Sequence, residues 1–417
     1  MRVQRCKGTR DISPEEMNRF RFIEGVFREC CLKGGYREIR TPTLEYLHLF
    51  TSTGTLTPGT LGKVYSFLDW DGWSGERVVL RPDATIPVAR SYIETMQDQG
   101  LAKLFYVANT FIFEETGKEN RERWDCGAEL IGASSTTADM ELIILALEIL
   151  KKLGLAKVEL RLSHAGLIRA LLAEFGLTPQ EQADVFDQIM DGDRTAFTRL
   201  KAKSPELRDT LSPLLDLKGQ SAGFLRNLKA LFRRDLPEFE PALDNFIDIV
   251  DLLEALGYSY QIDIASGRGF EYYTGVIFQL YTGNTRVARG GRYDALIPLI
   301  GGQDVPASGF ALYVDRLIGL IRPEVLNEHI PERILVRTSG DTPDMVREGF
   351  LVATRLRDAG YAVETDLGGQ PSTDVRWTLE LSKEKPRFVV TDTTTKKKSE
   401  AQTAEEVLGL LGGKGDS

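Results

Sequence analysis

Three stretches concentrate the side chains that can do chemistry. Arg81-Pro82-Asp83-Ala84-Thr85 is a charged turn directly after an apolar strand pattern. Arg121-Glu122-Arg123-Trp124-Asp125 leads to Glu129. Arg268-Gly269-Phe270-Glu271-Tyr272-Tyr273-Thr274-Gly275 precedes Arg289-Gly290-Gly291-Arg292-Tyr293-Asp294. Strand alternation puts every second side chain on one face, so Asp125 and Glu129 share a face with Gly127 between them. Such a floor suits a ligand carrying ammonium and carboxylate groups: acids for the ammonium, arginines for a carboxylate or phosphate. Each stretch alone has a plainer explanation. Charged strands are solvated faces, and Gly290-Gly291 is an ordinary bulge signal. Their combination and order carry the information.

The composition narrows the chemistry. The 417 residues hold 52 Lys and Arg against 61 Asp and Glu, a net charge of −9. That balance disfavours a general nucleic-acid coating protein. No CxxC pair occurs among the four cysteines, and the three histidines (His48, His164, His329) are far apart, so no metal site is expected. His164 reads as a core histidine at a strand end. No GxxxxGK[ST], GxSxG or HExxH is present, and neither glycine pair completes GxGxxG. The first sixteen residues lack a signal-peptide core and no apolar run is long enough to span a bilayer, so a reduced, cytoplasmic chain is expected.

These residues need a scaffold. Pro14 with Glu15 and Glu16 opens a helix over 14–33, and Gly34-Gly35 ends it. A single strand is expected through YREIRTPTLE, then a Gly/Thr/Pro-rich loop at 51–62, then two strands around Asp71-Gly72. A helix follows at 84–98, strands run through 103–115 and to Glu129, and the clearest helix spans 137–153 with a threonine N-cap. The composition turns helical, charged and interrupted at about 166–255, which reads as an insertion. Strands return to about residue 292, a helix lies near 311–321, and 323–333 reads as a linker. The tail, 331–417, predicts three strands and helices at 343–359 and 402–411. It holds 13 Lys and Arg against 15 Asp and Glu, with no basic footprint for tRNA.

In order, the segments resemble the histidyl-tRNA synthetase family of class II synthetases. KGTRDISPEE is similar to the family's N-terminal signature, and GGYREIRTPTLE to motif 1. LRPDAT with FYVANTFIFEE resembles the motif 2 region, RGFEYYTG the histidine-binding signature, and ASGFALYVDRL motif 3. The match runs from residue 7 to about 320. It implies an α+β fold: a class II synthetase-like antiparallel sheet of six or seven strands with flanking helices over 1–320, including the insertion. A three-layer α/β anticodon-binding-like domain over 331–417 would follow. It also implies a homodimer through motif 1. The histidine site implied is Asp83, Thr85, Asp125 and Glu129, completed by Arg268, Tyr272 and Tyr273. Arg121 and Arg316 are the implied phosphate contacts.

The family has two branches: histidine–tRNA ligases, which use ATP and Mg, and catalytically silent paralogues. The latter pair with the short-form catalytic subunit of ATP phosphoribosyltransferase in the first step of histidine biosynthesis. Where ligases carry the motif 2 arginine that holds the α-phosphate, this chain has Ile112. Losing one such donor costs about 2.7–4 kcal/mol of transition-state stabilisation. Asp83 replaces a glutamate, Asp125 a glutamine, and Tyr313 and Asp315 a glycine and a glutamate. Leu162-Ser163-His164-Ala165-Gly166 also resembles the silent branch. The resemblance therefore implies a histidine-sensing regulator that binds free histidine, needs no cofactor and does not charge tRNA. Histidine–tRNA ligase is the alternative.

Overall fold

The computed structural model describes residues 4–54, 56, 61–70, 75–113, 120–173, 177–178, 181–182, 185, 218–219, 221–232, 239–263, 273–327, 331–368 and 375–412. The chain divides into two compact units, 1–326 and 327–417.

The first unit opens with α1 (Pro14–Lys33). Ser13 caps it: its hydroxyl accepts from the Glu16 amide while the Glu16 carboxylate accepts from the Ser13 amide. Its buried stripe is Phe20, Ile23, Phe27, Cys30 and Cys31. The expected single strand that follows is two. β1 (Arg37–Glu38) joins the main sheet, and β2 (Leu44–Tyr46) pairs with β4 (Gly75–Leu80), which also carries β3 (Ser66–Trp70). Pro42 lies between β1 and β2, where it cannot donate to a ladder.

Among the described residues the main sheet has nine strands. Six form an unbroken antiparallel run: β5 (Ala102–Phe111), β6 (Glu122–Ile131), then β12 (Ala307–Tyr313), β11 (Thr285–Arg292), β10 (Val276–Thr282) and β7 (Glu159–His164). β1 flanks this run parallel to β5, and β9 (Tyr260–Asp263) flanks it parallel to β7, with β8 (Lys218–Gly219) outermost and antiparallel to β9. The α+β architecture is thus as expected, but short parallel edges enlarge the antiparallel sheet.

Helices cover this sheet. α2 (Thr85–Thr95) follows the Asp83 turn, and α3 (Thr136–Lys152) buries Leu142, Ile143, Ala146, Ile149 and Leu150. The α3 N-cap is Ser135, not a threonine; its hydroxyl accepts from the Ala138 amide. Of the expected insertion, α4 (Ala165–Ala173), α5 (Ala222–Phe232) and α6 (Glu240–Ala255) are described, and most of the rest lies outside the described residues. α7 (Val314–Ile318) directly continues β12, and the linker stretch begins with a short helix, Pro323–Asn327.

The second unit is a five-stranded sheet in the order β14 (Ala362–Thr365), β13 (Arg333–Thr338), β15 (Trp377–Leu381), β16 (Phe388–Asp392), β17 (Lys398–Ala401). β15 and β17 were not expected. Two further helices, Pro343–Asp358 and Ala404–Leu410, share one core with Ile334, Val336, Leu379, Phe388 and Val390. Those strand residues lie on one face of the sheet.

Candidate functional site

The sequence places small residues where neighbouring strands would otherwise crowd. Asp125, Gly127 and Glu129 of β6 face Tyr313, Ala311 and Gly309 of β12 across the ladder. The expected shared face is therefore real. A Cβ on Gly309 would lie 1.7 Å from Glu129 Oε2, and one on Gly127 would lie 2.2 Å from the Tyr106 ring. A Cβ on Gly291 would meet the Tyr273 ring at 2.8 Å. Glycine at these positions lets Glu129 and the two tyrosines lie over the sheet. The result is a cavity of about 520 Å³.

Of the residues the resemblance implied, Asp83, Thr85, Asp125, Tyr273 and Arg316 line the cavity. Asp83 is buried, and its Oδ1 accepts from the Ile86 amide, so it also holds the first turn of α2. Glu129 sits beneath the lining. Its Oε1 accepts from Thr85 (2.7 Å) and Tyr106 (3.1 Å), and its Oε2 from the Tyr293 hydroxyl. Its role in the cavity is to orient those three hydroxyls. Arg121 is absent from the lining: it donates to the Tyr65 hydroxyl and lies 4.5 Å from the Phe113 ring centre. Arg268 and Tyr272 lie outside the described residues.

Sequence reasoning did not select Tyr106, Thr110, Arg286, Arg289 or Tyr293. All five line the cavity. Tyr293 and Arg289 stood in a quoted cluster. The signal for Tyr106 was its pairing with Gly127, which only the ladder register reveals.

Burial dominates the electrostatics. It pushes the Asp125 carboxyl up to about 7 despite a hydrogen bond from Thr110. It pushes Glu129 up to about 8, against the opposing bonds from Tyr293 and Thr85. Tyr273 rises to about 12 through burial, partly offset by Arg289, whose guanidinium lies 4.6 Å from its ring centre.

Asp83 and Thr85 line the cavity from the start of α2, and Asp125 lines it from β6, opposite Tyr313 of β12. Ile112 lines the wall where the resemblance expects the phosphate arginine. Arg316 there donates to the Arg286 carbonyl and stacks 4.7 Å from the Tyr313 ring centre, and burial lowers its pKa. Asp315 accepts from Arg10 at 3.0 Å and from the Trp124 amide at 2.8 Å.

Beneath the sheet, Arg292 pairs with Asp139 at 2.9 Å and donates to the Ala133 and Ser135 carbonyls, tying β11 to the start of α3. His164 is buried; its Nε2 lies 3.3 Å from Asn245 Oδ1, and burial lowers its pKa to about 4. That is the core histidine expected. Among the described residues no cluster of His, Cys, Asp and Glu is arranged to hold a metal, and no helix is long and apolar enough to cross a membrane.

Comparison with known proteins agrees with this arrangement. The family model described as histidyl-tRNA synthetase matches residues 8–317. A protein of Dehalococcoides mccartyi named ATP phosphoribosyltransferase regulatory subunit is 50% identical over 415 residues, covering 100% of both chains. A histidine–tRNA ligase of Methanocaldococcus jannaschii is 33% identical over 375 residues, covering 88% of this chain and 86% of its own. Two solved structures share the fold. One is described as an ATP phosphoribosyltransferase regulatory subunit/histidyl-tRNA synthetase from Bacillus halodurans C (TM-score 0.76, 24% identity, 92% of this chain and 99% of that one). The other is histidyl-tRNA synthetase from Nostoc sp. PCC 7120 (TM-score 0.77, 18% identity, 99% of this chain and 100% of that one). Matched over most of its length by the family model and end to end by the Dehalococcoides protein, the chain belongs to the histidyl-tRNA synthetase family, within its branch of ATP phosphoribosyltransferase regulatory subunits.

Proposed function

We propose that the chain activates the short-form catalytic subunit of ATP phosphoribosyltransferase in the cytoplasm and transmits histidine feedback to it. Free histidine is the cavity ligand. Asp83 and Asp125 receive its ammonium, and the Thr85, Tyr106 and Tyr293 hydroxyls, oriented by Glu129, bound the pocket beside it. Tyr273, with Arg268 and Tyr272 of the preceding segment, completes the grip. No cofactor takes part. Feedback follows if histidine binds one state of the assembly more tightly than the other, since equal affinity shifts nothing.

The observation that carries this reading is what the cavity lining keeps and what it lacks. It keeps Asp83, Asp125 and the hydroxyls held by Glu129, while Ile112 stands in the wall and Arg316 is bonded to a backbone carbonyl. Binding without adenylation is what such a site supports. A second copy joins through the β2–β4–β3 sheet, where Leu44, Tyr46, Phe67 and Trp70 are exposed.

The deciding experiment is histidine-dependent ATP–pyrophosphate exchange on the purified chain, alongside phosphoribosyl transfer by the catalytic subunit with and without it. No exchange, with stimulated and histidine-inhibited transfer, is expected. Robust exchange overturns the regulatory reading in favour of a ligase.

A further inference from the structure

Arg289 is not among the histidine contacts that the resemblance implies, yet its position gives it a part in the site. It stands mid-strand in β11, facing Ala311 of β12, which faces Gly127 of β6, which faces Tyr106 of β5. All four belong to one row on the cavity face. Adjacent strands are about 4.8 Å apart, so Arg289 is rooted about 10 Å across the floor from β6. The residues between, Gly127 and Ala311, are too small to intervene. Arg289 is buried, lines the cavity, and holds its guanidinium over the Tyr273 ring. Asp83 and Asp125 stand on the opposite side. Arg286 and Arg316 line the same cavity from the Tyr313 side, each against that ring.

The floor is therefore bipolar across its width, acids on the β6 side and a guanidinium on the β11 side. An α-amino acid is bipolar in the same sense. Arginine's planar fork matches a carboxylate in two parallel hydrogen bonds, and Tyr273 keeps that fork flat and in place. We infer that Arg289 determines specificity by binding the ligand's α-carboxylate, resting on the reading of the cavity as a histidine site.

The test is calorimetric titration of the full chain and of Arg289→Met and Arg289→Lys with three probes: L-histidine, L-histidinol and histamine. Histidinol lacks the carboxylate but keeps the ammonium and imidazole, and histamine lacks the whole carboxyl carbon. The unsubstituted chain is expected to prefer histidine to both by roughly ten- to a hundredfold, the range of a charge-assisted hydrogen-bonded pair. Arg289→Met abolishes that preference while leaving histidinol affinity within about twofold of wild type, the histidinol value also reporting that the site is folded. Arg289→Lys, keeping the charge but not the fork, recovers part of the preference. Preference intact in Arg289→Met, or equal loss for histidine and histidinol, overturns the assignment alone. Absence of histidine binding to the unsubstituted chain overturns the histidine reading and takes the assignment with it.

Discussion

Asp125 gives the cavity a proton-linked affinity. Burial holds its carboxyl at about 7, so about half of the molecules carry a proton there at neutral pH. An arriving ammonium favours the carboxylate and lowers that pKa, so binding expels the proton. The sign is a release, of about half a proton per site at pH 7. Affinity rises with pH in step with the ionised fraction, about one tenth at pH 6 and nine tenths at pH 8, a gain of nearly tenfold across the interval. Calorimetry of histidine binding in phosphate and in Tris, whose ionisation enthalpies differ, reads the release directly. Asp125→Asn supplies the control: it keeps the shape and an acceptor but cannot titrate. Protons from the imidazole of free histidine enter both titrations, so the difference between the proteins isolates Asp125. A release of the same size in Asp125→Asn, or no buffer dependence in the wild type, would refute the placement of the ammonium on Asp125.

Glu129→Gln tests the other raised carboxyl. With its pKa at about 8 against an unfolded value near 4.5, native Glu129 holds its proton where the unfolded chain has lost it, so its contribution to stability falls as pH rises between those values. The glutamine variant should gain on wild type by about 2–4 kcal/mol between pH 5 and 8 in urea unfolding, and a constant difference contradicts the shift. Gly309→Ala forces Glu129 aside, so it should lower stability by about 1–3 kcal/mol. The double variant with Glu129→Ala should cost less than the sum of the two singles, and additivity would contradict the contact. Asp139→Ala leaves buried Arg292 with only the longer 3.4 Å contact to the half-exposed Asp294 and should cost about 2–4 kcal/mol in the first unit. Differential calorimetry should show only that unit's transition shifted, and a matching shift for residues 327–417 would contradict the division.

The site's legibility followed its dependence on local pattern. Alternation along one strand was enough to put Asp125, Gly127 and Glu129 on a common face, and the helix at 14–33 announced itself through Pro14 and its acidic first turn. What depends on register was hidden. Tyr106 meets Glu129 only because β5 is paired so that it faces Gly127, and Tyr293 arrives from a part of the chain more than 160 residues later. Glu129 therefore read as a ligand contact when its oxygens are already met by three hydroxyls. The two-residue β1 was illegible because a parallel edge strand of that length has no pattern of its own. The cap of α3 was read as a threonine where it is Ser135, because Ser135, Thr136 and Thr137 are all good caps and only backbone conformation chooses among them.

The groups around Ile112 bear on the proposal of binding without adenylation. Ile112 supplies no donor where the ligase pattern has an arginine, but an arginine elsewhere could substitute if it were available. Arg316 is committed to the Arg286 carbonyl and the Tyr313 ring. Arg121 is directed to Tyr65 and Phe113, away from the lining. Asp315 accepts from Arg10 and from the Trp124 backbone, so an acid at the motif 3 position ties the N-terminal segment to β6 next to Asp125. Each of these groups closes a contact within the fold. An Ile112→Arg substitution would thus supply one donor to a wall whose other groups are already engaged. The Glu129 hydroxyl cluster is held separately, by the space that Gly127 and Gly309 leave within the β6–β12 ladder, whereas Asp125 faces Tyr313 of that wall.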